Sequence, residues 1–117
     1  MPGGFDWGLV AVTTDLSNES RELAQLAWEF RREARSWSHP GGRGELERIA
    51  RELVDHSQLA ALETSRGDYW TRRDALRRAV AMRSAARLSL RLWWERGELW
   101  NSHRLRPVPA TIARGLT

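Results

Sequence analysis

The chain has 117 residues, 41% apolar and 29% charged, the balance of a single globular domain with one modest core. It has no cysteine, which excludes disulfides and thiolate metal sites. It has no stretch near the roughly 20 apolar residues of a membrane span and no signal-peptide pattern at its start, so a cytoplasmic location is expected. The net charge is +4, and every one of the 19 basic residues is arginine.

The first 16 residues contain a glycine pair and a β-prone run, Gly8–Thr13. They are expected to form an extended arm, with Phe5, Trp7, Leu9 and Val10 packing on the body or on a neighbour. A first helix is predicted from about Ser17 or Asn18 to Trp37. Asp15, Ser17 and Asn18 are candidate caps, and Glu19 and Glu22 suit the positive end of the helix dipole. Leu23, Leu26, Ala27, Phe30, Ala34 and Trp37 recur at three- and four-residue spacing, the signature of a helical core stripe.

The segment SHPGGRG, residues 38–44, reads as a loop, with Arg43 at its tip as a candidate phosphate contact. A second helix is predicted from Glu45 to Thr64, with Leu46, Ile49, Leu53 and Ala60 as its stripe, His56 as a candidate member, and Val54, Ala61 and Leu62 widening it. Ser65–Gly67 is a tight turn, and Asp68 caps a long third helix reaching Arg96. Gly97 is its natural stop, with one further turn possible over Glu98–His103. The RPVP run, Arg106–Pro109, is extended because two prolines remove donors and restrict their neighbours. Ala110–Thr117 reads as a flexible or docking tail. The expected fold is therefore all-α: an antiparallel bundle of three main helices over 17–103, between an arm at 1–16 and a Pro-containing tail at 104–117.

Charge is divided unevenly. Residues 1–65 carry 7 Arg against 11 acids, and residues 66–117 carry 12 Arg against 4 acids. Such a split suits two partners, or head-to-tail self-association. On a helical wheel, Arg73, Arg77, Arg83, Arg87 and Arg91 share about one third of the third helix. Ala75, Ala79, Met82, Ala86, Leu90 and Trp93 lie on the other side, with Leu88 and Leu92 widening that arc. Like charges at i, i+4 cost a few tenths of a kcal/mol each, so an anionic cover is expected. Phosphate is one candidate. Acids of the chain itself or of a neighbouring copy, Glu45, Glu47, Glu52, Asp55 or Glu63, are the other.

Seven tryptophans are too many for a small core to hide. Trp37 and Trp93 fit core stripes. Trp28, Trp70, Trp94 and Trp100 are the candidates for a protein interface or for base stacking. The three histidines have no metal-site spacing, and no cofactor is expected. Asp55, His56 and Ser57 are triad residue types, but helix neighbours face different ways. PGGRG lacks the ending of a phosphate-binding loop. No catalytic machinery is visible.

The all-helical frame and the Arg73–Arg91 ridge resemble the small helical subunits of CRISPR effector ribonucleoproteins. That resemblance, in architecture and charge over about residues 17–100, implies a non-enzymatic subunit present in several copies. It would contact backbone subunits and help to hold guide RNA or a target strand through basic residues. A protein–protein adaptor or inhibitor anchored by its tryptophans is a separate reading. A helix-turn-helix regulator is a third, since a Gly-containing turn precedes a basic helix, although that helix is about twice the usual recognition length.

Overall fold

In a computed structural model, residues 6–102 are described, with side chains through Arg96. The described residues form three helices: α1 (Trp7–Ser36), α2 (Pro40–Glu63) and α3 (Tyr69–Ser102). They run up, down and up. α2 is antiparallel to α1, since Ser57 meets Ser20. α3 is parallel to α1, since Arg72 reaches Thr13, Arg83 reaches Glu19 and Arg87 reaches Glu22 in the same order. The expected all-α bundle is present, but its outer boundaries differ from the sequence reading.

The extended arm expected over residues 1–16 is instead helical from Trp7 onward. Asp6 caps α1: its Oδ1 accepts from Leu9 N at 3.0 Å. Glycine and β-branched residues weaken this turn intrinsically, but burial of Val12 and Leu16 overrides the preference. The Thr13 hydroxyl donates back to Leu9 O. The extra turns also resolve the length mismatch expected of α3. α1 has 30 residues and α3 has 34, and Gly8 stands beside Tyr69 where both begin.

The break between α1 and α2 is also shorter than expected. Pro40 occupies the first turn of α2, where its missing N–H costs nothing, and His39 Nδ1 accepts from Gly42 N. Gly42 lies inside that turn because the corner leaves no room for a side chain. A Cβ there would stand 3.1 Å from Trp37 Cε3 and 3.5 Å from Trp93 Cζ3. The two indoles meet edge to face, with centroids 5.1 Å apart. The turn before α3 follows expectation: Gly67 has φ of 73°, and Asp68 Oδ1 accepts from Thr71 N at 2.9 Å. α3 does not stop at Gly97 but continues to Ser102.

The largest fully buried side chains are Leu16, Leu23 and Phe30 of α1 and Leu46 and Leu53 of α2. α3 contributes mainly small residues, Ala75, Ala79 and Ala86, then Leu90 and Trp93 at its far end. The core therefore lies between α1 and α2, and α3 approaches closely through its alanines. Ser20 and Ser57 exchange bonds across the α1–α2 seam. Ser57 Oγ donates to Ser20 O at 2.7 Å, and Ser20 Oγ donates to Ser57 O at 2.8 Å. Among the described residues, no helix is long and apolar enough to cross a membrane.

Candidate binding surface

The arginine ridge is real as a helical alignment but not uniform as a surface. The core of α3 faces along Ala75, Ala79, Ala86 and Leu90, and the ridge lies on the flank turned toward α1. Arg83 is consequently drawn into the bundle. Its Nε lies 2.7 Å from Glu19 Oε2, and the side chains are only 24% and 13% exposed. Arg87 Nη2 meets Glu22 Oε2 at 2.5 Å, but both side chains remain about half exposed. The acids covering the middle of the ridge thus come from α1. The α2 acids expected in that role are placed elsewhere: Glu45 and Glu52 bracket Arg48 on their own helix, and Glu63 pairs with Arg66.

Arg73, Arg77 and Arg91 are exposed and have no ion pair among the described residues. Arg73 stacks its guanidinium over Trp70, 5.6 Å from the ring centroid. Arg78 is tied to Asp74 one turn away. Within Tyr69–Ser102 there are 8 Arg and 3 acids, so α3 keeps a cationic excess after its partners on α1 are counted.

Two arginines have structural duties. Arg43 is not at a loop tip but in the first turn of α2. Its Nε and Nη2 donate to Trp37 O at 3.1 and 2.9 Å, closing the end of α1. Arg72, not singled out from the sequence, donates to Arg66 O and to Thr13 Oγ1, fastening the α2–α3 turn to α1. Its signal is faint, because a single arginine beside a turn has no distinguishing spacing.

The tryptophans divide as their stripes suggest. Trp37 and Trp93 are buried, while Trp7, Trp28, Trp70 and Trp94 are exposed. Trp100 falls outside the described side chains. So do His103 and the 104–117 tail, including Arg106–Pro109. Leu88 and Leu92, expected to widen the buried arc of α3, are exposed at 58% and 43%. The arc is narrower because alanine contacts bring α3 close on one side only. His56 is likewise exposed rather than core.

Leu88, Trp94, Arg87 and Arg91 line one side of a groove of about 530 Å³ between α3 and α1. Glu22, Gln25, Leu26 and Glu29 line the other. Trp28 stands next to this groove beside Gln25, with Arg32 over its ring.

Local donors lower two carboxyl groups, Glu45 and Asp68. Two bonds from Arg48 hold Glu45 below the ordinary carboxylate range. The Thr71 N–H does the same for Asp68 at the start of α3. Ser57, one of the triad residue types, is buried and committed to Ser20, while Asp55 and His56 point to solvent. α2 and α3 remain antiparallel from the Ala60–Ala75 level to the Gly42–Trp93 corner. They do not make the steep crossing of a helix-turn-helix. No known protein family, curated protein or solved structure matches this chain.

Proposed function

We propose that this protein is a non-catalytic, cytoplasmic subunit of a larger assembly that holds nucleic acid by its phosphates along α3. The observation that carries the reading is the exposure of Arg73, Arg77 and Arg91 without carboxylate partners among the described residues. Three guanidiniums on one helical flank attract a polyanion and release its counterions. Their forked donors fit phosphate oxygens. Trp70, already beneath Arg73, adds a stacking surface for an unpaired base. Nothing in this arrangement selects a base sequence. RNA or an unpaired DNA strand fits better than a duplex operator.

It is the role implied by the resemblance of the helical frame and arginine ridge to the small helical subunits of CRISPR effector ribonucleoproteins. Arg83 is excluded from the phosphate surface because Glu19 holds it. Reversing its charge would disturb the bundle as well as any binding.

The test is therefore Arg73→Glu/Arg77→Glu, read by fluorescence anisotropy with a labelled single-stranded RNA and a matching DNA at two salt concentrations. The wild-type chain is expected to bind with affinity that falls steeply as salt rises. The double variant is expected to lose at least tenfold at unchanged far-UV circular dichroism. Equal retention of nucleic acid by the variant would overturn the reading.

A further inference from the structure

The α1–α3 groove has a distribution of charge of which the phosphate reading uses Arg91 alone. Its α3 lip carries Arg87 and Arg91, and its α1 lip carries Glu22 and Glu29. Glu22 and Arg87 bridge the groove within the chain. Glu29 and Arg91 do not pair with each other or with any described residue. Between the lips lie Leu26 and Leu90, and around the mouth stand Leu88, Trp94 and Trp28, all three close to half exposed or more. A surface of this kind, apolar at its centre and charged at its rim, is the pattern of a protein interface. Two carboxylates on one lip make it a poor groove for a polyphosphate backbone.

We infer that this groove is the contact between two copies of the chain, related by a two-fold axis running along the helices. Symmetry selects that axis. When it lies parallel to α1 and α3, the rotation exchanges the two lips. The acidic α1 lip of one copy is then set on the basic α3 lip of the other, twice over. An axis across the groove sets acid on acid and base on base. Since α1 and α3 are parallel, Glu29 and Arg91 lie within about a turn of the same height. The favoured rotation makes two Glu29–Arg91 pairs, with Trp94 and Leu88 of each copy covered between them. A closed two-fold contact uses the same patch on both sides, and aromatic anchors with arginine at the margin are its typical content.

The contact does not depend on nucleic acid. It engages Arg91 and leaves Arg73 and Arg77 in solvent, so the dimer offers two phosphate-binding flanks.

Sedimentation equilibrium of the full chain at tens of micromolar tests the inference. The wild type is expected at twice the 13.5 kDa chain mass. Arg91→Glu alone and Glu29→Arg alone each place like charges across both contacts and are expected to weaken dimerisation at least tenfold. The double variant Arg91→Glu/Glu29→Arg restores opposite charges and is expected to dimerise again. So is an equimolar mixture of the two single variants, because each copy supplies what the other lacks. Loss in both single variants with recovery in the double variant is specific to the parallel two-fold, and recovery in the mixture shows that the pairs form between copies. A monomeric wild type, an open-ended oligomer, single variants that dimerise like wild type, or a mixture that stays monomeric would each overturn it. Arg73→Glu/Arg77→Glu is expected to remain dimeric, which separates failure of this contact from failure of phosphate binding.

Discussion

Arg83 of α3 reaches back 64 positions to Glu19 of α1 and holds it at 2.7 Å in partly buried surroundings. One turn further along, Arg87 and Glu22 repeat the contact in the open. Two chemically equal pairs therefore differ mainly in how much water reaches them. In a double-mutant cycle with alanine, monitored by urea unfolding, the Arg83–Glu19 coupling is expected at about 1 kcal/mol or somewhat more. The Arg87–Glu22 coupling is expected below about 0.5 kcal/mol and should vanish in high salt. Equal couplings would show that shielding by the bundle has no effect.

The glycines at the start of α2 should respond in opposite directions. Gly42 lies against Trp37, whereas a Cβ at Gly44 would meet nothing within 4 Å. Gly42→Val is expected to cost roughly 1–3 kcal/mol through overpacking and to alter the near-UV circular dichroism of the Trp37–Trp93 pair. Gly44→Ala should stabilise by about 0.4–1 kcal/mol, by restricting the unfolded chain. Thermal unfolding of the two variants beside wild type decides the matter.

Gly67 combines a left-handed backbone, φ 73°, with a tight approach to Thr71, whose Cβ would stand 2.8 Å from an added methyl. Gly67→Ala is expected to destabilise by about 1–2 kcal/mol. Hydrogen exchange should show the loss first in the amides at the start of α3, including the Thr71 N–H bound to Asp68. An unchanged melting temperature would mean that the turn relaxes freely.

Acid should weaken the fold at two identified carboxylates. Arg48 lowers Glu45 and the Thr71 N–H lowers Asp68. A depressed folded-state value means that each group adds stability above its unfolded value, and that this is lost as pH falls through the folded one. Glu45→Gln and Asp68→Asn should therefore be less stable than wild type at neutral pH. Both differences should shrink toward zero as pH drops below the ordinary carboxylate range. A stability gap that stays constant to low pH would contradict the assignment.

The core stripes were legible in the sequence. Leu23, Leu26, Ala27, Phe30, Ala34 and Trp37 recur at helical spacing and are all buried. Asp68 and Gly67 likewise announce the turn before α3, since their chemistry is local. The start of α1 was hidden because Gly8, Thr13 and Thr14 argue locally for extended chain, while Val12 and Leu16 are rewarded only once α2 and α3 are in place. The start of α2 was hidden because histidine is an uncommon cap and Pro40 beside two glycines usually marks a loop. The arginine ridge was legible as an alignment, but its covering acids were not. Any acid in the first half is equivalent on paper. Only the parallel placement of α1 beside α3 assigns Glu19 and Glu22 to Arg83 and Arg87.

The reciprocal Ser20–Ser57 bonds concern which alternative packings the chain rejects. The leucines and alanines of the α1–α2 seam are similar enough in shape that sliding one helix by a turn would still bury apolar surface. The two serines weigh against the slide. Shifted by one turn, the reciprocal bonds are lost and each hydroxyl falls back on a carbonyl of its own helix, a loss of about 0.5–1.5 kcal/mol per bond. A small polar pair thus acts as an index mark along an otherwise forgiving seam, fixing the height at which α1 meets α2. Every residue that α3 places against α1 inherits that alignment.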